Sequence, residues 1–144
     1  KNDAIKSILS AKLLEAQNKG ISISVEIEEP VSNFRIELLD FITILSVLCD
    51  NAIEATIEAI SPRMTVAFMN NDDSLVLIVE NSIKSEKVDV NHIFDRGYSS
   101  KGEGRGLGLH NVNSVLEKYP KSTITTRSAN HLFSQTIKFC KVSL

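Results

Sequence analysis

The longest periodic segment of the chain, residues 34–60, reads "FRIELLDFITILSVLCDNAIEATIEAI" and constrains the fold more than any other feature. Apolar residues recur in it at helical spacing, and the capping residues Ser32 and Asn33 precede it. The expected buried stripe comprises Ile36, Leu39, Ile42, Leu45, Leu48 and Cys49, and the more polar stripe comprises Asp40, Thr43, Val47, Asn51, Glu54 and Glu58. We therefore expect a helix with one face in the core and another directed at a site.

The rest of the chain predicts a small set of helices and strands around this helix. Residues 2–20 have helical spacing, and residues 21–27 alternate between apolar and polar as a half-buried strand does. Two strands flank an Asn/Asp turn at 71–73, a helix is expected at 107–119, and a hairpin closes the chain. The predicted class is α+β, a two-layer α/β sandwich with helices on one face of a mixed five-stranded sheet.

Composition bounds the kind of protein. The 144 residues suffice for a single domain, 1–144, and 42% apolar with 24% charged residues are typical of a globular chain with a core. No apolar run is long enough to cross a bilayer, so no direct membrane contact is expected for this fragment. The net charge of −2, without a basic patch, argues against nucleic acid as a partner. Cys49 and Cys140 lie in apolar segments without metal-ligand spacing, which predicts reduced thiols in a cytoplasmic compartment.

The stretch "SSKGEGRGLGLHNV", residues 99–112, has a glycine at every second position from Gly102 to Gly108. Glycine permits positive φ and lets backbone N–H groups approach a ligand closely, and the N-terminus of the following helix favours an anion. Phosphate is the expected ligand of this segment. The spacing is not that of a Walker loop, and no strand leads directly into the segment as a dinucleotide fingerprint requires. The alternative is a flexible connector.

Two asparagines lie where apolar side chains dominate. Asn51, in "LCDNAIEA", is either an exposed helix residue or a side chain whose carbonyl oxygen binds Mg²⁺. Asn81, in "VENS", ends an apolar strand, where it either starts a turn or hydrogen-bonds an exocyclic amine. A phosphate-binding segment in the same small domain favours the metal-binding interpretation of Asn51.

In this order and at this separation, the three motifs resemble the ATP-binding domain of the sensor histidine kinases, in the superfamily that includes DNA gyrase. "LCDNAIEA" is similar to the N box, "VENS" to a reduced first glycine box, and "NHIFDRGYSSKGEGRGLGLHNV" to the F box, ATP lid and second glycine box. The resemblance covers nearly the whole chain and is closest to peptide-responsive quorum-sensing kinases of the staphylococcal accessory gene regulator type. It implies the Bergerat-type, or GHKL, fold, with residues 1–20 as a helix leading from a dimerisation segment and 94–106 as the ATP lid.

The resemblance also implies roles for individual residues. Asn51 matches the asparagine that ligands Mg²⁺ between the phosphates of ATP, and Lys101 is expected near the terminal phosphates, so these two are the expected catalytic residues. Asn81 falls where relatives carry the aspartate that accepts the adenine amine, with Glu80 as the alternative. Asn81 is preferred because strand alternation puts it on the same side as Val79. The other residues expected to contact the nucleotide are Ala55, Phe94, Gly102, Gly104, Gly106, Leu107, Gly108 and Leu109.

Compared with the family that it resembles, the chain lacks a catalytic glutamate and a phosphoacceptor histidine, and both absences bear on the expected reaction. Relatives that hydrolyse ATP outright carry a glutamate one helical turn before the metal asparagine, whereas this chain has Val47 there, so we expect slow hydrolysis. None of His92, His110 and His131 has the sequence surroundings of a phosphoacceptor. The acceptor histidine is therefore expected in a dimerisation segment preceding Lys1.

Together these assignments predict the Mg·ATP-binding half of a protein-histidine kinase. The domain is expected to donate the γ-phosphate of ATP to a histidine of the dimerisation segment, from which a response regulator takes it. We expect the isolated domain to be a monomer, and the whole kinase to be a homodimeric membrane sensor with this domain in the cytoplasm. The alternatives are a nucleotide-gated interaction module without phosphotransfer, an ATPase clamp of the gyrase type, and a degenerate domain that binds nothing.

Overall fold

The structure, a computed structural model, describes residues 3–28, 36–70, 74–86, 106–119 and 121–140. Three helices and five strands lie within these ranges. In chain order they are α1 Asp3–Asn18, β1 Ser22–Ile27, α2 Leu38–Thr56, β2 Arg63–Asn70, β3 Ser74–Ser82, α3 Gly106–Leu116, β4 Ser122–Ala129 and β5 Leu132–Cys140. No helix in the described part of the chain is long and apolar enough to cross a membrane.

The five strands form one mixed sheet in the order β1-β2-β3-β5-β4. β1 is parallel to β2, and the other three neighbouring pairs are antiparallel. A parallel pair cannot be joined by a tight turn, because the chain must return to the same end of the sheet. The connection between β1 and β2 therefore carries the long helix α2.

One face of the sheet is covered by the helices. On β3 this face carries Leu75, Leu77, Val79 and Asn81, because side chains alternate between the two faces of a strand. All three helices contribute to the same buried cluster. Its members include Leu9 and Ala16 from α1, Val112 and Leu116 from α3, and Met64, Val66, Phe133, Ile137 and Phe139 from the sheet. The predicted two-layer α+β sandwich is thus confirmed.

α2 is shorter than the predicted helix of residues 34–60. It extends over Leu38–Thr56, and Glu37 before it is extended and makes no side-chain capping hydrogen bond. The predicted caps, Ser32 and Asn33, lie outside the described residues. An acidic residue in the first turn of α2 provides a favourable interaction with the helix dipole instead.

The buried face of α2 is rotated by part of a turn from the predicted one. Three residues of the predicted apolar stripe are buried, namely Leu45, Leu48 and Cys49. Leu39, however, is 75% exposed, and Phe41 is buried in its place. The Phe41 ring stacks on Phe68 of β2 with a centroid distance of 5.1 Å. Because an aromatic ring buries more apolar area than a leucine side chain, the helix packs with Phe41 inwards.

We predict opposite outcomes for two leucine truncations in α2. Leu48→Ala removes a side chain that is 1% exposed, so the lost burial and the cavity should lower the free energy of unfolding by about 2–5 kcal/mol. Leu39→Ala, the matched control, should change it by about 0.5 kcal/mol or less. Urea unfolding followed by circular dichroism measures both. Equal losses would contradict the observed orientation of α2.

Candidate functional site

A polar cluster joins the start of α2 to the residues that follow α3. Tyr119 Oη donates a hydrogen bond to Asp40 Oδ2 at 2.5 Å, and the Glu37 backbone N–H donates to Tyr119 Oη at 3.2 Å. Lys118 Nζ lies 3.4 Å from Asp40 Oδ1. Asp40 is only 8% exposed, and its first-turn position lets the helix dipole stabilise the carboxylate. This junction fixes α3 against one side of α2.

The phenol of Tyr119 is held in its neutral form. Partial burial, followed by the hydrogen bond to Asp40, raises the pKa of Tyr119 above its ordinary value. Only the neutral phenol has the proton that Asp40 accepts. The ring also meets Phe139 of β5 edge to face, with centroids 6.4 Å apart. The junction is therefore anchored both in the core and to a carboxylate.

Asn51 lies on the same side of α2 as Asp40, because their separation of eleven residues corresponds to about three helical turns. Its side chain is half-buried, and its Nδ2 atom is buried without a hydrogen-bond partner in the described structure. A buried amide without a partner costs free energy unless a ligand satisfies it. Rotating the amide by half a turn exchanges nitrogen and oxygen, so the same position offers a carbonyl oxygen to a cation.

The residues next to Asn51 on α2 point towards α1 or into the core. Asp50 is directed at α1, where its Oδ1 lies 2.5 Å from Lys12 Nζ. Cys49 is buried, and burial, with a smaller contribution from the charge of Asp50, raises the pKa of its thiol to about 12. The thiol is therefore neutral and not a nucleophile at physiological pH. Val47, one turn before Asn51, is half-buried and apolar.

Asn81 and Glu80, the two candidates for the acceptor of the adenine amine, lie on opposite faces of the sheet. Asn81 is 2% exposed and pairs with Met64 and Phe133 on the helix-covered face. Glu80 is half-buried and belongs to the other face. Asn81 Nδ2 donates a hydrogen bond to the Ser82 carbonyl oxygen at 3.0 Å. Because a carbonyl only accepts hydrogen bonds, this contact identifies the amide nitrogen and leaves Oδ1 as the acceptor on the opposite side.

Several predicted contact residues lie outside the described structure. These are Phe94, Lys101, Gly102 and Gly104, together with most of the predicted lid, 94–106. Ala55 is half-buried on α2, one turn after Asn51.

The second half of the glycine segment begins α3. Gly106, Leu107, Gly108 and Leu109 form its first turn, where backbone N–H groups have no partner within the helix. Gly20 is the only glycine with positive φ in the described ranges, whereas Gly106 and Gly108 are helical, so the positive φ that glycine permits is not used at these two positions. Because alanine has the higher helix propensity, the helical conformation of these two residues does not itself require glycine.

Sequence reasoning named no hydrogen-bond partner for four residues that border the site, namely Asp40, Tyr119, Thr56 and Ser82. Tyr119 hydrogen-bonds to Asp40, although the two residues are 79 positions apart in the chain. The hydroxyl groups of Thr56 and Ser82 hydrogen-bond to each other, although these residues are 26 positions apart. The local signals were weak: an acidic residue in an apolar helix, and hydroxyls at the ends of a helix and a strand. Pairing them required the tertiary structure.

Residues 36–140 match the GHKL domain family. The chain belongs to this family. The GHKL chain is 31% identical over 119 residues to the sensor protein CitS of Bacillus subtilis, covering 79% of this chain and 22% of CitS. It is 30% identical over 140 residues to the sensor histidine kinase DcuS of Escherichia coli, covering 94% of this chain and 25% of DcuS. The chain thus spans about a quarter of the length of these curated relatives.

Solved structures of histidine kinases share the fold of this GHKL domain. The catalytic domain of histidine kinase ThkA has a TM-score of 0.78 at 17% identity, covering 99% of this chain and 95% of that domain. Full-length ShkA in complex with AMPPNP has a TM-score of 0.77 at 15% identity, covering 99% of this chain and 31% of ShkA. The predicted GHKL fold of a histidine kinase catalytic domain is confirmed, and the quorum-sensing subtype stays a prediction.

We predict that Tyr119→Phe lowers the free energy of unfolding of the domain at neutral pH, and that this difference from the wild type disappears at alkaline pH. The variant loses the hydrogen bonds to Asp40 and from Glu37, which should lower the free energy of unfolding by about 1–2 kcal/mol. Since folding raises the pKa of Tyr119 from 10.0, its contribution is complete below pH 10 and is lost as the pH rises through the folded-state pKa. Urea unfolding of both proteins between pH 7 and 11 measures the difference. A difference that stays constant over this range would contradict the assignment.

Proposed function

We propose that this GHKL domain binds Mg·ATP and, within a longer sensor kinase, donates the γ-phosphate to a histidine of a dimerisation segment. The observation that carries the proposal is the half-buried carboxamide of Asn51, whose Nδ2 has no partner in the described structure and which lies on the α3 side of α2. The family membership and the kinase relatives CitS and DcuS support it.

The packing of α2 against α3 supports the proposal that Asn51 and the glycine segment contact the same ligand. α2 and α3 pack against each other, and Asp40 meets Tyr119 at one end of their contact. Asn51 is eleven residues from Asp40, and Gly108 is eleven residues from Tyr119. On α2 about 16 Å of helix leads from Asp40 to Asn51, and on α3 about 12 Å leads from Leu116, just before Tyr119, back to Gly108. Both proposed ligand-binding positions are thus a comparable way from the junction. The free N–H groups of the first turn of α3 suit a phosphate there.

The donor set near Asn51 suits Mg²⁺ held partly by a nucleotide. Mg²⁺ in phosphate sites uses one or two protein oxygens and takes its remaining ligands from phosphates and water. The described residues contain no group of three or more His, Cys, Asp or Glu side chains placed to hold a metal by themselves. Asn51 Oδ1 is therefore the proposed protein ligand. Bound Mg²⁺ would neutralise phosphate charge, while Asn51 and the α3 amides orient the phosphates for transfer.

The remaining contacts complete the proposed nucleotide site. Asn81 Oδ1 is the proposed acceptor for the adenine amine, since Asn81 and not Glu80 lies on the helix-covered face. Ala55 is proposed beside the base. Lys101 is proposed at the terminal phosphates, and the remaining proposed contacts are Phe94, Gly102, Gly104, Gly106, Leu107, Gly108 and Leu109.

The surroundings of Asn51 favour transfer to a protein acceptor over hydrolysis. A water molecule attacking the γ-phosphate needs a base to orient it, and the position one turn before Asn51 carries the apolar Val47. The proposed acceptor is a histidine in a segment preceding residue 1, and α1 is the proposed link to that segment.

The proposed assembly follows from the kinase class. The isolated domain, residues 1–144, is proposed to be a monomeric cytoplasmic unit of a homodimeric membrane sensor, and peptide quorum sensing is the proposed signalling context. A response regulator is the proposed final phosphate acceptor. The histidine kinase ThkA, which shares the fold at a TM-score of 0.77, has been solved in complex with the response regulator protein TrrA.

We predict that Asn51→Ala abolishes binding of Mg·ATP while the domain remains folded. Removing the carboxamide removes the proposed metal ligand, and the buried unpartnered nitrogen disappears with it, so stability should not fall by more than about 1 kcal/mol. Titration calorimetry with Mg·ATP measures affinity, and thermal unfolding measures stability. Asn18→Ala, at the exposed end of α1, is the control and should bind ATP as the wild type does.

The same substitution in the whole kinase tests phosphotransfer. With γ-labelled ATP, wild-type kinase should carry label on a histidine, and the Asn51→Ala kinase should carry none. Unchanged labelling of the variant would contradict the metal assignment. ATP binding by the wild type without label on histidine would instead support a nucleotide-gated interaction module.

We predict that alanine at both Gly106 and Gly108 changes stability and ligand affinity in opposite directions. Alanine has a higher helix propensity than glycine by about 1 kcal/mol per residue, so α3 should become more stable. The added methyl groups should block close approach of phosphates to the first turn, so affinity for Mg·ATP should fall. Thermal unfolding and calorimetry measure the two effects. A more stable variant with unchanged affinity would show that the start of α3 does not contact the nucleotide.

A further inference from the structure

The end of β3 is held by two buried hydroxyl groups. Thr56 Oγ1 and Ser82 Oγ lie 2.6 Å apart, with residue exposures of 0% and 6%. The Arg63 backbone N–H donates to both oxygens at 3.0 Å, and Ser82 Oγ donates to the Ser61 carbonyl at 2.9 Å. If Thr56 donates its proton to Ser82, every one of these groups is satisfied. The cluster therefore joins the end of α2, the start of β2 and the end of β3.

The peptide group after Ser82 is fixed from its other side as well. Ile83 is 6% exposed, and its backbone N–H donates to the carbonyl of His131 at 2.9 Å. His131 lies in the turn between β4 and β5, and its own N–H donates to the carbonyl of Glu86 at 2.8 Å. Because the peptide unit is planar and trans, the Ser82 carbonyl must point away from the Ile83 N–H. The direction of this carbonyl is thus set by contacts on both of its sides.

The fixed carbonyl in turn orients the Asn81 side chain. It accepts a hydrogen bond from Asn81 Nδ2 at 3.0 Å, so the amide cannot turn over without facing oxygen with oxygen. A free asparagine offers either a donor or an acceptor, whereas this one offers only Oδ1 to a ligand. In hydrogen-bonding terms the oriented Asn81 behaves as an aspartate would.

We propose that Ser82 and Thr56 are positioning residues that fix Asn81 as an acceptor, and that they thereby select a purine with an amine at C6 over one with a carbonyl there. The inference rests on the proposed function, because it assumes that the nucleotide base meets Asn81. It also explains how a chain with serine and isoleucine in place of a full glycine box retains a defined base site: buried hydroxyls and a backbone bond hold the segment in position.

ATP and inosine triphosphate form the discriminating pair, because their purine rings differ at C6, where one has an amine and the other a carbonyl. Wild-type protein should bind Mg·ATP at least about tenfold more tightly than the inosine nucleotide, since a matched hydrogen bond is replaced by two facing acceptors. Ser82→Ala should weaken ATP binding about tenfold and leave inosine triphosphate binding nearly unchanged, so that the preference falls to about twofold or less. Thr56→Val should act in the same direction with a smaller effect. Titration calorimetry measures all six affinities, those of the three proteins for the two nucleotides.

Thr43→Val is the matched control for the hydroxyl deletions. Thr43 Oγ1 also donates to a backbone carbonyl on α2, that of Leu39 at 2.9 Å, but it lies outside the Ser82 cluster. This variant should keep the wild-type preference for ATP. If it lost the preference as Ser82→Ala is expected to, the effect would be one of general stability and the inference would be overturned.

A rescue variant separates orientation from stability. Asn81→Asp presents only acceptor oxygens in any orientation, so the double variant Asn81→Asp, Ser82→Ala should recover the preference for ATP that Ser82→Ala loses. Failure of this rescue would overturn the inference. So would a Ser82→Ala protein that keeps the wild-type ratio while the wild type binds ATP. A wild-type protein that binds neither nucleotide would instead refute the proposed function.

Discussion

The rest of the structure depends on the burial of one face of α2 against the sheet. Ile44, Leu48 and Ile53 are almost completely buried, and Phe41 stacks on the sheet residue Phe68. Each such side chain contributes about 1.5–3 kcal/mol of burial free energy, and several of them act together on this face of α2. Because a helix is rigid, orienting this one face also orients every other residue on α2.

The polar residues of α2 each reach a different partner because of this orientation. Asp40 meets Tyr119 beyond α3, Asp50 meets Lys12 of α1, and Thr56 meets Ser82 of β3. The helix is thus bonded to another element near each end, while Asn51 lies between them with an unpartnered amide nitrogen in the described structure. Buried polar groups that are fully bonded define positions more narrowly than apolar contacts do, since their geometry is directional. The candidate site is thus bordered by hydrogen-bonded side chains, and the amide nitrogen of Asn51 between them is unsatisfied in the described structure.

Glycine and serine occupy different surroundings in the two segments that resemble glycine boxes. Gly106 and Gly108 are helical and leave the start of α3 without side chains at these two positions. At the end of β3 the chain has Ser82, whose hydroxyl bonds to α2 and to the loop before β2. We thus propose that the missing side chains of Gly106 and Gly108 admit the phosphates, and that the bonded hydroxyl of Ser82 helps to position the base. Burial raises the pKa of Cys49 to about 12, so this thiol of α2 is not a nucleophile at physiological pH.

The sequence by itself determined the α+β class, the amphipathic character of α2 and the face on which Asn81 lies, because helix and strand periodicity are encoded by residues a few positions apart. Only the tertiary structure decided that Phe41, and not Leu39, enters the core. Both are apolar and lie in the first turn of α2, and the choice depends on the ring of Phe68, which comes from another part of the chain. The Asp40–Tyr119 junction and the Thr56–Ser82 cluster could not be predicted from the sequence either. They join residues that are 79 and 26 positions apart, and no local sequence pattern pairs such residues. Such contacts arise only once burial of the apolar face has brought distant elements together.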